Sequence, residues 1–169
     1  SREAFWAVAS VSEEAGIEHR VAAIRETFEE SGVLLAAERE SGRRIDAERL
    51  RGMDARFRQD LEKGQVTLLE ILEAEDLSLR CQDLVTFAHW VTPLFMPKRF
   101  DTYFYLVEAP VDQVALHDGR ESVDSVWTTV HGAIEDQEAG RRTIIFPTLA
   151  QLQKLGRSHT VSEAMAATR

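Results

Sequence analysis

Apolar positions along the chain fall first into a helical rhythm. Val21, Ile24 and Phe28 share one face, while Glu26, Glu29 and Glu30 stand at i, i+3 and i+4 on roughly the opposite one. This spacing predicts a helix from about Glu18 to Ser31, stopped by Gly32. The Val33-Leu34-Leu35 run reads as a short strand or the helix exit, and charged residues 38–45 around Gly42 read as a loop. Asp46 is a candidate N-cap for a helix reaching about Lys63, with Leu50, Met53, Phe57 and Leu61 on one face and Gly64 at its end. Thr67 followed by Glu70 has the form of a capping box and opens a helix to about Ala74. Together these predict a helical insert over about 46–76.

Period-two and β-rich stretches follow. Residues 84–91 suit a strand, and Pro93 and Pro97 bracket a loop. Residues 100–108, rich in aromatic and β-branched types, read as a central strand. Asp112 to Leu116 and residues 122–128 are two further short candidates. A helix is expected from His131 to Ala139 with Gly140 as its stop, and Pro147 opens a last helix to about Leu155. The tail from Gly156 is expected to fray. Residues 1–9, with Phe5, Trp6 and several alanines, are read as an amphipathic turn or helix. The fold class this gives is α+β, in one domain over 1–169.

Composition narrows the class. The chain has 169 residues, enough for a domain with a sizeable core, and 44% are hydrophobic. No apolar run approaches the roughly 18 residues of a membrane span, so no membrane partner is expected. Cys81 is alone, which leaves no disulfide framework and no cysteine zinc site. A reducing, cytoplasmic setting is the expectation. The net charge of −9 argues against binding a nucleic-acid backbone. It leaves room for a small phosphorylated substrate, because a bound metal can supply a local positive field.

The acidic run Arg25-Glu26-Thr27-Phe28-Glu29-Glu30-Ser31-Gly32-Val33 concentrates the chemistry. Three carboxylates on one helix face repel one another, and a divalent cation would remove that penalty. Mg²⁺ prefers carboxylate oxygens and shares its remaining positions with water and phosphate.

The same run resembles the second half of the Nudix box, the signature of hydrolases that cleave diphosphates linked to a nucleoside. The uninterrupted box would have glycine at position 11 and glutamate at position 17; Val11 and Ile17 stand there. The chain is similar in this to the subfamily with an insertion inside the box, which includes the peroxisomal coenzyme A diphosphatase and bacterial relatives. That resemblance puts the glycine-containing half of the box, and the opening strands of the fold, before Ser1. The later segments resemble the same subfamily in order: Phe87 to Pro93, Arg99 to Phe104, Trp127 before a helix, and Phe146-Pro147-Thr148-Leu149. Trp90, Phe104 and Trp127 are read as packing residues, and His89 as packed or hydrogen-bonded.

The resemblance implies a Nudix-type α/β/α sandwich with a mixed sheet. It also implies a metal-dependent hydrolase acting on a small nucleoside diphosphate derivative, with coenzyme A or acyl-coenzyme A as the subfamily's substrate class. Glu26, Glu29 and Glu30 are the candidate ligands for Mg²⁺ or Mn²⁺, and Glu26 is also a candidate base. Arg25 would orient these carboxylates. Glu121, with Asp124 as the alternative, is the candidate base or further ligand from a later loop. Lys98 and Arg99 are candidates for substrate phosphate. Many members of the family dimerise, and a homodimer is carried as an expectation. The runner-up reading, prompted by Val11 and Ile17, is a Nudix-like binding or regulatory module without catalysis.

Overall fold

The computed structural model describes residues 4–10 (backbone only), 16–95, 97–110, 113 and 126–168. Its centre is strand β5 (Asp101–Glu108), with β1 (Ala4–Ser10) and β4 (Val85–Val91) on either side, in the order β1-β5-β4. Both pairings are antiparallel, from Ala4↔Glu108 to Ser10↔Thr102 and from Val85↔Leu106 to Val91↔Asp101. The register of β4 shifts between Thr86 and Ala88, where Phe87 forms a bulge. A second, two-stranded antiparallel sheet joins β2 (Ala36–Glu38) to β3 (Leu77–Leu79). The pairings among the described strands are thus all antiparallel.

Strand β5 explains the layering. Its run Tyr103-Phe104-Tyr105-Leu106-Val107 is buried throughout, which requires cover on both faces. Tyr103, Tyr105 and Val107 join Ala23, Ile24 and Phe28 of helix α1 (Ile17–Ser31) in the larger apolar cluster. Leu106 points the other way, into a cluster with Phe87, Leu155 and Ala164. The last two belong to α6 (Phe146–Leu155) and α7 (Val161–Thr168). Helices therefore cover the sheet from both sides.

The insert between β2 and β3 follows the sequence signals closely. Asp46 caps α2 (Ala47–Met53), accepting from the Arg49 amide at 2.9 Å. A five-residue π turn (Asp54–Arg58) leads into α3 (Gln59–Glu62). The capping box forms at α4 (Leu68–Ala74): the Thr67 hydroxyl accepts from the Glu70 amide at 3.2 Å, and the Glu70 carboxylate accepts from the Thr67 amide at 2.8 Å. Gly64 turns the chain at a φ of 66°.

Several expectations are corrected. Residues 4–10 form a strand rather than a helix, because β5 offers an edge with which this continuous apolar segment pairs. Of the two readings of residues 33–35 the helix exit holds: they are irregular, and the strand begins only at Ala36. Residues 126–129 carry no strand; they lead into Thr129, whose hydroxyl caps α5 (Val130–Glu138). The segment after Gly156 holds α7, packed on β4 and β5 through Ala164, instead of fraying. The candidate strand at Asp112 to Leu116, apart from Gln113, and residues 122–125 lie outside the described residues.

Candidate functional site

The last two turns of α1 combine features that oppose helix stability. Glu26, Glu29 and Glu30 crowd its C-terminal end, where the helix dipole is negative, and its last turn holds no basic residue. Arg25 offsets part of this. Its Nη1 donates to both Glu29 carboxylate oxygens, at 2.7 and 2.9 Å, and its Nη2 donates to Glu26. One guanidinium thus gathers two of the three acids.

Glu29 is the most enclosed of this trio, its side chain 15% exposed against 35% for Glu26. Burial pushes its carboxyl above the usual range, and the nearby Glu26 and Glu62 add to that; the Arg25 bond opposes it without winning. Glu30 is exposed on the same turn. Among the described residues no three or more His, Cys, Asp or Glu side chains are grouped as a metal site. Glu26 and Glu29 converge on Arg25 instead.

Gly32 ends the helix in the left-handed region, φ 68°, and its amide donates to the Phe28 carbonyl at 2.9 Å. Something also presses on it from outside. A Cβ at Gly32 would stand 3.1 Å from Arg58 Nη1 and 3.3 Å from Asp54 Oδ1. Arg58 is 8% exposed and its Nε donates to the Glu29 carbonyl at 2.9 Å. Sequence reading passed over Arg58. The one signal available was its spacing from Asp54 and Glu62, four residues to either side on the insert.

The other candidates are not gathered here. Lys98 and Arg99 sit in the loop between β4 and β5, where Lys98 lies 5.3 Å from the Phe100 ring centroid and Arg99 Nε donates to the Thr92 carbonyl at 3.4 Å. That loop is at the start of β5, where His19 of α1 meets Tyr103 with ring centroids 5.4 Å apart. Leu34, just past the acidic turn, exchanges hydrogen bonds with Gln113, which lies beyond the end of β5. Lys98 and Arg99 thus make their contacts within their own loop, whereas Glu26 and Glu29 turn to Arg25. Glu121 and Asp124 lie outside the described residues. His89 is exposed; it stacks on Tyr103 with centroids 4.1 Å apart and bonds to Asp101, so of the two readings the hydrogen-bonded one holds. Phe104 is buried, Trp90 is half-buried against Phe146, and Trp127 is 44% exposed.

The donors are of the type a hard divalent cation takes, carboxylate oxygens on a rigid helix, although here two of them are drawn around Arg25 and the three are not gathered at one point. An ion there would compete with Arg25 for the same oxygens. Among the described residues no helix is long and apolar enough to cross a membrane.

Comparison with known proteins bears on this arrangement. Residues 8–155 match the family described as the NUDT19 Nudix domain. The chain is 26% identical over 154 residues to an acyl-coenzyme A diphosphatase NUDT19 of Xenopus laevis, covering 80% of this chain and 38% of that protein. Its structure is similar to the crystal structure of a NUDIX hydrolase from Alicyclobacillus acidocaldarius, with a TM-score of 0.77 and 28% identity. That match covers 92% of this chain and 68% of the other. The chain thus spans well under half the length of the Xenopus relative.

Proposed function

The chain belongs to the NUDT19 Nudix domain family, and from that premise we propose that it is a metal-dependent hydrolase of the diphosphate bond in a nucleoside diphosphate derivative. The observation that carries the proposal is the gathering of Glu26 and Glu29 around Arg25 on the turn that Gly32 closes. Coenzyme A or acyl-coenzyme A is the favoured substrate class, supported by the name of the Xenopus relative. The products would be 3′,5′-ADP and a phosphopantetheine.

Glu26, Glu29 and Glu30 would hold Mg²⁺ or Mn²⁺. When bound, the ion would neutralise diphosphate charge and lower the pKa of a bound water. Glu26, the more open of the two paired acids, is also the candidate to take the proton from that water. Arg25 would keep the carboxylates oriented while yielding part of its grip. Burial of Glu29 would strengthen its attraction for a cation by excluding water. Glu121 remains the candidate for a further base or ligand. Lys98 and Arg99, in the loop between β4 and β5, would meet substrate phosphate. A homodimer and a cytoplasmic setting complete the reading.

The test is turnover of coenzyme A, acyl-coenzyme A, ADP-ribose and a nucleotide sugar, with Mg²⁺ or Mn²⁺ titrated in. Turnover should require the ion. Glu29→Gln and Glu30→Gln should each lose about 100-fold or more in kcat, since every ~1.4 kcal/mol of lost transition-state stabilisation costs tenfold. Val11 and Ile17, where the uninterrupted box would carry glycine and glutamate, motivate the alternative of a ligand-binding module. Metal-independent binding without turnover would decide for that alternative.

A further inference from the structure

The acidic end of α1 needs a partner that α1 does not contain. The last carbonyls of any helix lack intrahelical donors, and a cation near them is favourable. No base occupies the last turn of α1. Arg58, from the helical insert, fills that place.

Several contacts of its guanidinium bear on this turn. Nε donates to the backbone carbonyl of Glu29 at 2.9 Å. Nη1 donates to Asp54 Oδ1 at 3.3 Å, and Nε lies 3.6 Å from Glu62 Oε1. Nη1 also closes over Gly32, where an added Cβ would stand 3.1 Å away and make the guanidinium give by a few tenths of an ångström. A guanidinium this buried is tenable only when paired, and Asp54 and Glu62 supply the pairing. Asp54 and Arg58 are the two ends of the π turn, a form of helix that recurs at functional positions. The insert thus reaches the backbone of the very turn that carries Glu26, Glu29 and Glu30.

We propose that Arg58 is a positioning residue: by holding the Glu29 carbonyl against Asp54 and Glu62 it fixes the turn whose carboxylates bind the metal ion. The inference rests on the metal-dependent reading above. It makes the insert a structural part of the ion site rather than a spacer between two strands. Lysine cannot reproduce the contact, because one ammonium replaces a planar fork that grips carbonyl and carboxylates together.

The experiment uses the whole chain and Mn²⁺ alone, with free ion counted by electron paramagnetic resonance. Arg58→Lys should keep the far-ultraviolet circular dichroism of the parent yet bind Mn²⁺ about tenfold or more weakly, the usual loss when a ligand's supporting contact goes. In turnover kcat should fall in proportion and KM hold. Leu61→Ala, a packing change in the same insert, should lower Tm and leave Mn²⁺ affinity unchanged. Asp54→Asn, which keeps the Arg58 charge but loosens its seat, should weaken Mn²⁺ by a smaller factor, and it carries the test if Arg58→Lys does not fold. Parent-like Mn²⁺ affinity in Arg58→Lys, or in Asp54→Asn where that variant carries the test, overturns the inference while leaving the metal reading intact. So does an equal loss in Leu61→Ala. A parent protein that binds no Mn²⁺ overturns the metal reading and the inference together.

Discussion

Gly32 carries two constraints at once. Its φ of 68° is one that side chains with a Cβ adopt at a cost of about 1–2 kcal/mol. Its missing side chain also leaves the space into which Arg58 Nη1 reaches. Gly32→Ala should therefore lose more than the backbone term alone, about 2–3 kcal/mol in a urea titration, because the guanidinium must shift as well. A loss of 1 kcal/mol or less would mean that Arg58 gives way freely and is not seated as described. Only the first constraint was legible in the sequence: a glycine after a helical stretch announces a stop. The second joins Gly32 to a residue in another element, and no local pattern encodes that pairing. The same reason explains why Arg25 and the acids could be singled out from spacing while Arg58 could not.

Elements show where local signals suffice. Helix α4 begins where Thr67 and Glu70 say it must, since two otherwise unpaired amide groups are satisfied by side chains within the same four residues. Thr67→Ala should cost about 1 kcal/mol. Glu70 adds a pH signature. The Thr67 amide and then its hydroxyl hold the Glu70 carboxyl below the usual carboxylate range. Such a group contributes fully above its unfolded pKa, and the contribution is lost as pH falls through the lower folded value. The Tm difference between the parent and Glu70→Gln should therefore shrink as pH drops below about 4; a constant difference would show that the carboxylate charge plays no part. Strand β1 and helix α7 illustrate the opposite case. Residues 4–10 acquire strand form by pairing with β5, and α7 gains its place by covering Leu106 and Phe87. Neither segment holds a signal strong enough to fix its form alone, so the surrounding fold decides it.

At the scale of the molecule, β5 is the element on which both layers depend. Buried along five consecutive residues and paired on both edges, it should hold the slowest-exchanging amides in hydrogen–deuterium exchange, with α4 and α7 opening earlier. Faster exchange in β5 than in α7 would contradict the layering. The sequence made β5 recognisable as central, because its aromatic and branched residues leave no polar face to show to water. It could not reveal that residues 4–10 were β5's neighbour. That pairing has a consequence for how the protein is made. Ser10 meets Thr102 across roughly 90 residues of chain, a closure that costs on the order of 4 kcal/mol in entropy. At ribosomal rates of about 5–20 residues per second, the first partner of the sheet waits several seconds before the second leaves the exit tunnel. Through that interval an apolar, strand-forming segment has helix α1 to pack on but no strand to pair with, and nascent-chain chaperones have their opening there.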